Sequence, residues 1–205
     1  NADMSDNPTP SLTALILAGG QAARMSGMDK GLIECAGRPL IEHVLARVAP
    51  SVDTVLISAN RSLDRYRRYG YPVIEDASAD FPGPLAGIVR GLERCATDWL
   101  WIVPCDAPSV DAHLVERLME ACREHVAPAA VPIEAGQMQA TFALLRSDLL
   151  PSLQHYLAQG RRAVHAWLQA LPAAEVDCGD HPEWFVNINT PEDLAACAER
   201  FKDTA

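Results

Sequence analysis

Short apolar runs alternate with segments of helical periodicity along most of this chain, and this alternation limits the folds open to it. Apolar and β-branched runs indicate strands, and apolar residues spaced three and four apart indicate helices. Strands that alternate with helices build a mostly parallel sheet with right-handed crossovers. The first run, residues 12–17, lacks polar alternation, which suits a sheet covered by helices on both faces. The sequence therefore predicts an α/β fold.

The predicted elements follow one another without an internal repeat. We expect strands at residues 12–17, 54–58, 73–74, 99–103, 129–133, 141–145 and 185–188. We expect helices at residues 40–48, 63–69, 85–95, 114–125, 149–157 and 163–171, and a last helix that begins at Thr190-Pro191. Because ligands in such sheets bind at the carboxyl ends of strands, the loops after the first, third and fourth strands are the places to search for a site.

Length and composition fit one globular domain. Residues 1–10 are polar and proline-bearing, and we expect a disordered lead there before a single domain over residues 11–205. No apolar run approaches the roughly 18 residues that span a bilayer, and no basic-then-apolar signal opens the chain. We therefore expect a cytoplasmic protein without a membrane partner. The six cysteines lack C-x-x-C spacing, which predicts reduced, mostly buried thiols and no structural zinc site.

The formal net charge is −10, and it bears on the kind of ligand. An acidic surface argues against non-specific binding to nucleic acid. It does not exclude a small anionic ligand, but such a ligand needs a locally positive pocket. The sequence offers one such place, directly after the first predicted strand.

That place is a glycine-rich turn, since residues 17–31 read L-A-G-G-Q-A-A-R-M-S-G-M-D-K-G. Paired Gly19 and Gly20 let the backbone approach a ligand, and successive N–H groups in such a turn form an anion site. Arg24 and Lys30 add positive charge. The segment is neither a P-loop nor G-x-G-x-x-G, so a dinucleotide-binding site is disfavoured. The alternative is an ordinary strand-to-loop turn with basic surface residues.

Four further motifs follow the turn along the chain. They are V-I-E-D at residues 73–76, P-G-P-L-A-G at 82–87, P-C-D at 104–106 and F-V-N-I-N-T-P-E-D-L at 185–194. Together with the turn, they resemble the motifs of the molybdenum cofactor guanylyltransferases. The match runs from about residue 12 to residue 198. It implies a single-domain Rossmann-like fold of the nucleotide-diphospho-sugar transferase type. A nucleotide-binding half would cover about residues 11–110 and an acceptor half about residues 111–200.

The resemblance also implies a reaction. A member of this family transfers GMP from GTP to the phosphate of molybdopterin, releases pyrophosphate and depends on Mg²⁺. Molybdoenzyme apo-proteins or their chaperones would then be partners. A cytidylyltransferase or a sugar-phosphate nucleotidyltransferase of the same fold stays open, because the chemistry is shared. So does a non-catalytic subunit that binds a nucleotide and delivers the cofactor.

Asp106 is the candidate metal ligand. It follows the predicted strand 99–103, where its carboxylate can reach a ligand in the crevice. Mg²⁺ prefers one or two carboxylates together with phosphate oxygens and water. We therefore predict that Asp106 holds Mg²⁺ against the triphosphate. The alternative is an aspartate that caps a helix or closes a turn.

The resemblance assigns further residues to the two substrates. Ser58 stands where the family carries an asparagine, and its shorter side chain can still donate and accept one hydrogen bond. The catalytic set is Arg24, Lys30 and Asp106. The nucleotide-binding set is Leu17, Ala18, Gly19, Gly20, Lys30, Ser58, Asp76, Gly83, Leu85 and Asp106.

The acceptor side is predicted from polar residues in the second half of the chain. Asn187 and Asn189 alternate on a predicted strand, so both would point to one face, where they could hold the acceptor or orient the metal. The alternative is that these strand-end asparagines bond the loop backbone. The resemblance implies that Arg161 and Arg162 help to receive the acceptor's phosphate; the alternative is a solvated arginine pair. Gly87 completes the acceptor set. The run Arg61, Arg65, Arg67 and Arg68 is interpreted as a solvated helix face.

Overall fold

The computed structural model describes residues 9–19, 24–25, 27–75 and 83–202, with Arg24 and Met25 described through their backbone alone. Three predictions therefore lie outside the described residues: the contacts of Gly20, the contacts of Asp76 and most of the lead at residues 1–10. The position of the Arg24 side chain is likewise outside the description.

Strands account for the apolar runs of the sequence. They are β1 (Leu12–Leu17), β2 (Arg24–Met25), β3 (Met28–Asp29), β4 (Glu34–Cys35), β5 (Arg38–Pro39), β6 (Thr54–Ser58), β7 (Val73–Ile74), β8 (Trp99–Pro104), β9 (Ala129–Glu134), β10 (Gln137–Met138), β11 (Leu144–Arg146) and β12 (Ala174–Asp177). Within the described residues, eight of them form one sheet in the order β10-β9-β11-β8-β1-β6-β7, with β12 beside β9. The pairs β2/β3 and β4/β5 are short hairpins.

The register of the sheet places several chain segments at one edge. Parallel β1, β6, β7 and β8 end together, because Leu17 is opposite both Ser58 and Pro104, and Ser58 is opposite Ile74. We call this the carboxyl edge. Strand β11 runs antiparallel to β8, so the residues that precede Leu144 also reach the carboxyl edge. Strand β9 is antiparallel to β11 and ends at the same edge.

Helices cover both faces of the sheet, as predicted. They are α1 (Leu40–Val48), α2 (Leu63–Arg67), α3 (Pro84–Arg94), α4 (Ala112–Glu124), α5 (Leu150–Ala158), α6 (Val164–Ala170) and α7 (Pro191–Lys202). Alternate residues of β8 enter two separate core clusters: Trp101 packs with α1 and α4, and Leu100 packs with α3, α5 and α6. In the part of the chain that is described, no helix has the length and apolar character needed to cross a membrane.

The predicted strand at residues 185–188 is wrong. A 3-10 helix occupies Pro182–Phe185, and no strand follows it among the next described residues. Aromatic packing explains the difference: the Trp184 ring stacks on His181 at 4.1 Å, and Phe185 meets Phe142 edge-on at 5.0 Å. The Trp184 and Phe185 rings also meet each other edge-on at 6.4 Å. A pleated strand would point these neighbouring side chains to opposite faces of the sheet.

Other elements also differ from prediction, among them the short strands β2 to β5 and β10, which were not predicted. The predicted strand at residues 141–145 is a 3-10 helix, Ala140–Phe142, followed by β11. The parallel strand β12 was not predicted, because its sequence A-E-V-D carries little β signal and its pairing with β9 is long-range. Five of the six cysteines are buried and Cys95 is partly exposed, which confirms that the thiols are mostly buried; their reduced state and the absence of a structural zinc site stay predictions.

Gly91 provides a test of the packing between α3 and the sheet. A Cβ built on Gly91 would lie 2.5 Å from Leu15 Cδ2, and Leu15 is fully buried. Gly91→Val is therefore expected to lower the free energy of unfolding by about 1–3 kcal/mol through overpacking. Urea denaturation measures the change. Gly179→Val is the control, because Gly179 is exposed and its nearest neighbour is the end of the Asp177 side chain. Equal stability of the two variants would contradict this packing.

Candidate functional site

Backbone hydrogen bonds fix the start of the glycine-rich turn at the carboxyl edge. The N–H of Ala18 donates to the carbonyl of Ser58 at 2.8 Å. The N–H of Cys105 donates to the carbonyl of Leu17 at 3.0 Å. The first bond continues the pairing of β1 with β6 one residue beyond β1, and the second continues the pairing of β1 with β8 one residue beyond β8. The turn after β1 therefore starts from a rigid position between the ends of β6 and β8.

Lys30 joins two other parts of the chain at this edge. Its ammonium Nζ lies 3.4 Å from Asp106 Oδ2 and 2.5 Å from Asn189 Oδ1. The N–H of Ile188 donates to the carbonyl of Asp106 at 2.9 Å, which fastens the chain before α7 to the end of β8. Lys30 is 8% exposed, so its charge acts in a partly dehydrated site. The structure thus brings together Lys30, Asp106 and Asn189, which the sequence selected separately.

The start of α7 holds Asn189 in place. Asp193 Oδ2 accepts from the N–H groups of Asn189 and Thr190 at 2.9 Å each, and the Asp193 N–H donates to Thr190 Oγ1 at 3.1 Å. This is a reciprocal capping arrangement. The same N–H groups hold the pKa of Asp193 below its usual range. The amide of Asn189 is therefore presented to Lys30 by a fixed helix start, not by the predicted strand.

Burial decides the electrostatics of Asp106. It raises the pKa of the Asp106 carboxyl, and the Lys30 ammonium acts in the opposite direction. A buried carboxylate with one lysine at 3.4 Å is only partly compensated for the loss of water. A divalent cation next to it would supply the missing compensation. The carboxylate thus has the electrostatic character of a metal ligand.

A second oxygen supports a fit to Mg²⁺. Asn187 Oδ1 is buried without a hydrogen-bond partner, and Asn187 precedes the residue that is bonded to Asp106. Carboxylate and amide oxygens are hard donors of the kind that Mg²⁺ takes. The described side chains contain no cluster of three or more His, Cys, Asp or Glu residues able to hold a metal. Phosphate oxygens and water would therefore have to complete the coordination, as is usual for Mg²⁺.

The predicted nucleotide residues meet where α3 packs on the sheet. A Cβ on Gly87 would lie 2.7 Å from Ser58 Oγ and 3.0 Å from Leu17 Cδ2, so only glycine lets the helix come this close. Ser58 itself is 1% exposed. The nucleotide contact of Ser58 and the acceptor contact of Gly87 stay predictions. What the structure adds is that Leu17, Ser58 and Gly87 lie in one packed group.

The entry to α3 brings two more predicted residues to this region. Gly83 has φ +96°, a conformation that favours glycine, and precedes the first residue of the helix. The Leu85 side chain is fully buried in the core, which leaves its backbone for a ligand. Beside Gly19 lies a residue that the sequence analysis missed: a Cβ on Gly19 would be 3.1 Å from Asn60 Nδ2. Its position two residues after Ser58 is the signal that could have selected it.

A cavity of about 630 Å³ opens at the carboxyl edge on the side of β9 and β11. This volume lies in the range of small-molecule sites. Its lining mixes polar and apolar groups from the entry to α3, from β10 and the following 3-10 helix, and from α6. The main lining residues are Pro84, Gln137, Met138, Thr141, Arg162 and His165.

The structure separates the predicted arginine pair. Arg162 lines the cavity, and its Nη1 donates to the carbonyl of Leu157 at 2.8 Å. Arg161 turns away, with its guanidinium over the Tyr156 ring at 4.8 Å from the centroid. Arg162 is therefore the member of the pair that is placed to meet a ligand in the cavity.

A glycine-rich turn next to a buried lysine and an aspartate, at the carboxyl edge of a largely parallel sheet, is typical of the α/β nucleotidyltransferases as a class. Residues 14–175 match the family described as MobA-like NTP transferase domain. The chain therefore belongs to the MobA-like NTP transferase family and is a nucleotidyltransferase.

Individual relatives agree with this family. A molybdenum cofactor guanylyltransferase from Vibrio campbellii is 45% identical over 181 residues, which cover 88% of this chain and 92% of the relative. One of the same name from Ralstonia nicotianae is 45% identical over 202 residues, or 94% and 98% of the two chains.

Solved structures share the fold. The molybdopterin-guanine dinucleotide biosynthesis protein A from Archaeoglobus fulgidus has a TM-score of 0.77 at 23% identity, and the match covers 93% of this chain and 99% of that chain. The 2-C-methyl-D-erythritol 4-phosphate cytidylyltransferase from Thermus thermophilus has a TM-score of 0.69 at 20% identity, with 91% and 96% covered. Both likenesses concern the fold alone.

Proposed function

We propose that this enzyme transfers GMP from GTP to the phosphate of molybdopterin, releases pyrophosphate and forms the guanine dinucleotide form of the cofactor. The observation that carries the proposal is the contact of Lys30 with both Asp106 and Asn189. It lies at the carboxyl edge, where β1 and β8 end. The names of relatives at 45% identity support the choice of GTP and molybdopterin.

The chain's own residues would bind and orient the triphosphate. Backbone N–H groups of the turn after Leu17 and the side chains of Arg24 and Lys30 would meet its negative charge. Lys30 begins the process paired with Asp106 and Asn189, so its ammonium is already positioned at the edge. Such preorganised charge costs little reorganisation when the reaction occurs.

Asp106, with the amide oxygen of Asn187, would hold Mg²⁺. When bound, the ion neutralises charge that develops on the leaving pyrophosphate. The acceptor's phosphate monoester is already ionised near pH 7, so neither a protein nucleophile nor a general base is required. Positioning of the two substrates and charge neutralisation would carry the catalysis.

The cavity at the carboxyl edge is the proposed site of the acceptor. Its volume suits a ring system of pterin size, and it adjoins the entry to α3. Arg162 supplies a cation, and Gln137, His165 and Gln169 supply groups that can bond the polar rim of a pterin. His165 and Gln169 lie one helical turn apart on α6, so they face the cavity together.

His165→Ala is expected to raise KM for molybdopterin about tenfold, the effect of losing roughly 1.4 kcal/mol of binding. The Kd for GTP should not change, because His165 lies on the acceptor side. Steady-state kinetics with molybdopterin varied measures KM, and calorimetry with GTP measures Kd. His155→Ala, an exposed histidine on α5, is the control. A change in GTP affinity with an unchanged KM for molybdopterin would contradict the acceptor assignment.

The reaction itself is tested by pyrophosphate release. The enzyme is mixed with molybdopterin, Mg²⁺ and either GTP or CTP, and pyrophosphate and the dinucleotide product are measured. Release with GTP supports the proposal. Release with CTP alone would make the enzyme a cytidylyltransferase, and binding of GTP without release would make it a delivery protein.

The proposed recipients of the product are molybdoenzyme apo-proteins or their chaperones. The cytoplasm is the proposed compartment, since six free cysteines suit a reducing environment. Co-purification of product-loaded enzyme with an apo-molybdoenzyme would test the transfer.

A further inference from the structure

Two of the four arginines between residues 61 and 68 line a pocket beside the glycine-rich turn. The pocket has a volume of about 340 Å³, and its walls include residues 27–29, Leu32, Arg61 and Arg65. We call it the arginine pocket. All four arginines of the run are exposed, so exposure does not distinguish them. What distinguishes Arg61 and Arg65 is that they line this pocket together with the last residues of the turn.

Arg61 and Arg65 carry positive charge that no carboxylate pairs with among the described residues. Arg67, on the same short helix, differs in this respect, because its Nη1 pairs with Asp64 Oδ1 at 2.9 Å. Asp29 also lines the arginine pocket, and its Oδ2 is buried without a hydrogen-bond partner. Two guanidinium groups against one carboxylate leave the pocket with an excess of positive charge and with free N–H donors.

The charges assigned to the triphosphate so far do not balance it. Lys30 is offset by Asp106, and Asp29 adds one negative charge next to Lys30 in the chain. A triphosphate brings roughly four negative charges near pH 7. A bound divalent cation and Arg24 would leave roughly two of the negative charges uncompensated, in a chain whose net charge is already −10. Two further cations beside the turn would complete the balance.

The arginine pocket and the acceptor cavity lie at different places along the carboxyl edge. The cavity opens on the side of β9 and β11, and Arg61 belongs to the loop that follows β6. In the sheet, β8 and β1 stand between these places. The pockets also adjoin different core clusters: Leu32 packs in the one that contains Trp101, and Val164 in the other.

This arrangement suits the geometry of phosphoryl-type transfer. The attacking and leaving oxygens lie roughly in line on opposite sides of the reacting phosphorus. An acceptor that enters from the cavity would therefore expel its leaving group toward the loop after β6, where the arginine pocket lies.

We propose that the arginine pocket is the subsite for the two outer phosphates of the triphosphate, and that Arg61 and Arg65 hold the pyrophosphate as it leaves. An oxygen of the acceptor's phosphate bonds to the α-phosphorus while the bond from that phosphorus to the bridging oxygen breaks, and its electron pair departs with the pyrophosphate. Guanidinium groups suit this role, because they stay charged and can bond two phosphate oxygens at once. The inference rests on the proposed function, because it needs a nucleoside triphosphate as ligand.

The double variant Arg61→Gln/Arg65→Gln tests the subsite. Its Kd values for GTP and for inorganic pyrophosphate are expected to rise about tenfold, the effect of losing two exposed charge contacts. Its Kd for GMP should stay unchanged, because GMP lacks the two outer phosphates. Calorimetry with each ligand in the presence of Mg²⁺ measures the three constants. The Tm of the free protein should not change, since both side chains are exposed.

Arg67→Gln/Arg68→Gln is the matched control. Both double variants remove two positive charges from a chain of formal net charge −10, so their long-range electrostatic effects are alike. Arg67 and Arg68 do not line the arginine pocket. A subsite for phosphates therefore predicts a loss of affinity for GTP and pyrophosphate in the first variant alone.

Three outcomes would overturn the inference. One is wild-type affinity for GTP and pyrophosphate in the first variant, and another is an equal loss in both double variants, which would indicate a long-range field. The third is a loss for GMP as large as that for GTP, which would place the contact elsewhere on the nucleotide. If the wild type binds GTP and the first variant binds it equally, only the inference is lost. If the wild type binds neither GTP nor CTP, the proposed function fails and the inference fails with it.

Discussion

Asp106→Ala is expected to lower kcat by at least about a hundredfold, the size of effect seen when one preorganised electrostatic group is lost from a site. Two features of Asp106 account for this: it lies two residues after the end of β8 at the carboxyl edge, and it is the carboxylate partner of Lys30. Pyrophosphate release at saturating GTP, molybdopterin and Mg²⁺ measures kcat. Asp148→Ala is the control, because Asp148 is an exposed aspartate that pairs with Arg146.

Protein stability separates this loss from unfolding. Asp106→Ala leaves the buried Lys30 ammonium with Asn189 alone, so the variant is expected to lose some free energy of unfolding. Thermal melting measures that loss, and kcat is compared at a temperature where both proteins are folded. Near-normal, Mg²⁺-dependent kcat in Asp106→Ala would show that the metal is held elsewhere.

The parts of the site that sequence could predict are local ones. Lys30 and Asp106 each follow a strong signal: a glycine-rich turn in one case, and a buried β run in the other. Strands β1 and β6 were predicted with the bounds that the structure gives them. Such elements can be predicted without reference to distant residues, because their apolar patterns and turn residues lie within a short stretch of sequence.

The acceptor side could not be predicted in the same way. Its cavity depends on β10, on the 3-10 helix before β11 and on α6, which converge only after β9 pairs with β11 and β12. The error at residues 185–188 has the same origin: Phe185 packs on Phe142, a residue far away in the chain. Long-range packing outweighed local β propensity there.

The contact between Asn189 and Lys30 was predictable only in part. The sequence placed Asn189 on a strand, but Asn189 lies just before α7, where the capping contacts of Asp193 present its amide to Lys30. Its acceptor role stays a prediction. Thr190-Pro191-Glu192-Asp193 was identified as a helix start, so the capping signal was available. What the sequence could not supply was the distance between that helix start and β8, which the bond from Ile188 to Asp106 sets.

Lys30→Met is expected to raise the Kd for GTP between about tenfold and a hundredfold. The substitution keeps most of the buried stem and removes the ammonium, and a hydrogen bond to a charged group contributes about 1.5–3 kcal/mol. The expected loss of affinity is smaller than the full contribution of such a bond, because Lys30 already makes hydrogen bonds to Asp106 and Asn189 in the free protein. Calorimetry with GTP measures the change. Lys202→Met, on the exposed face of α7, is the control.

A second measurement on the same variant examines the coupling between Lys30 and Asp106. Lys30 lowers the pKa of the Asp106 carboxyl, which burial raises. Removal of the ammonium must therefore move that pKa further upward, so that Asp106 takes up a proton at a higher pH than in the wild type. Carboxyl ¹³C chemical shifts of the metal-free protein report this titration directly. Unchanged GTP affinity together with an unchanged Asp106 pKa would remove Lys30 from the phosphate site and break the link between the glycine-rich turn and the metal carboxylate.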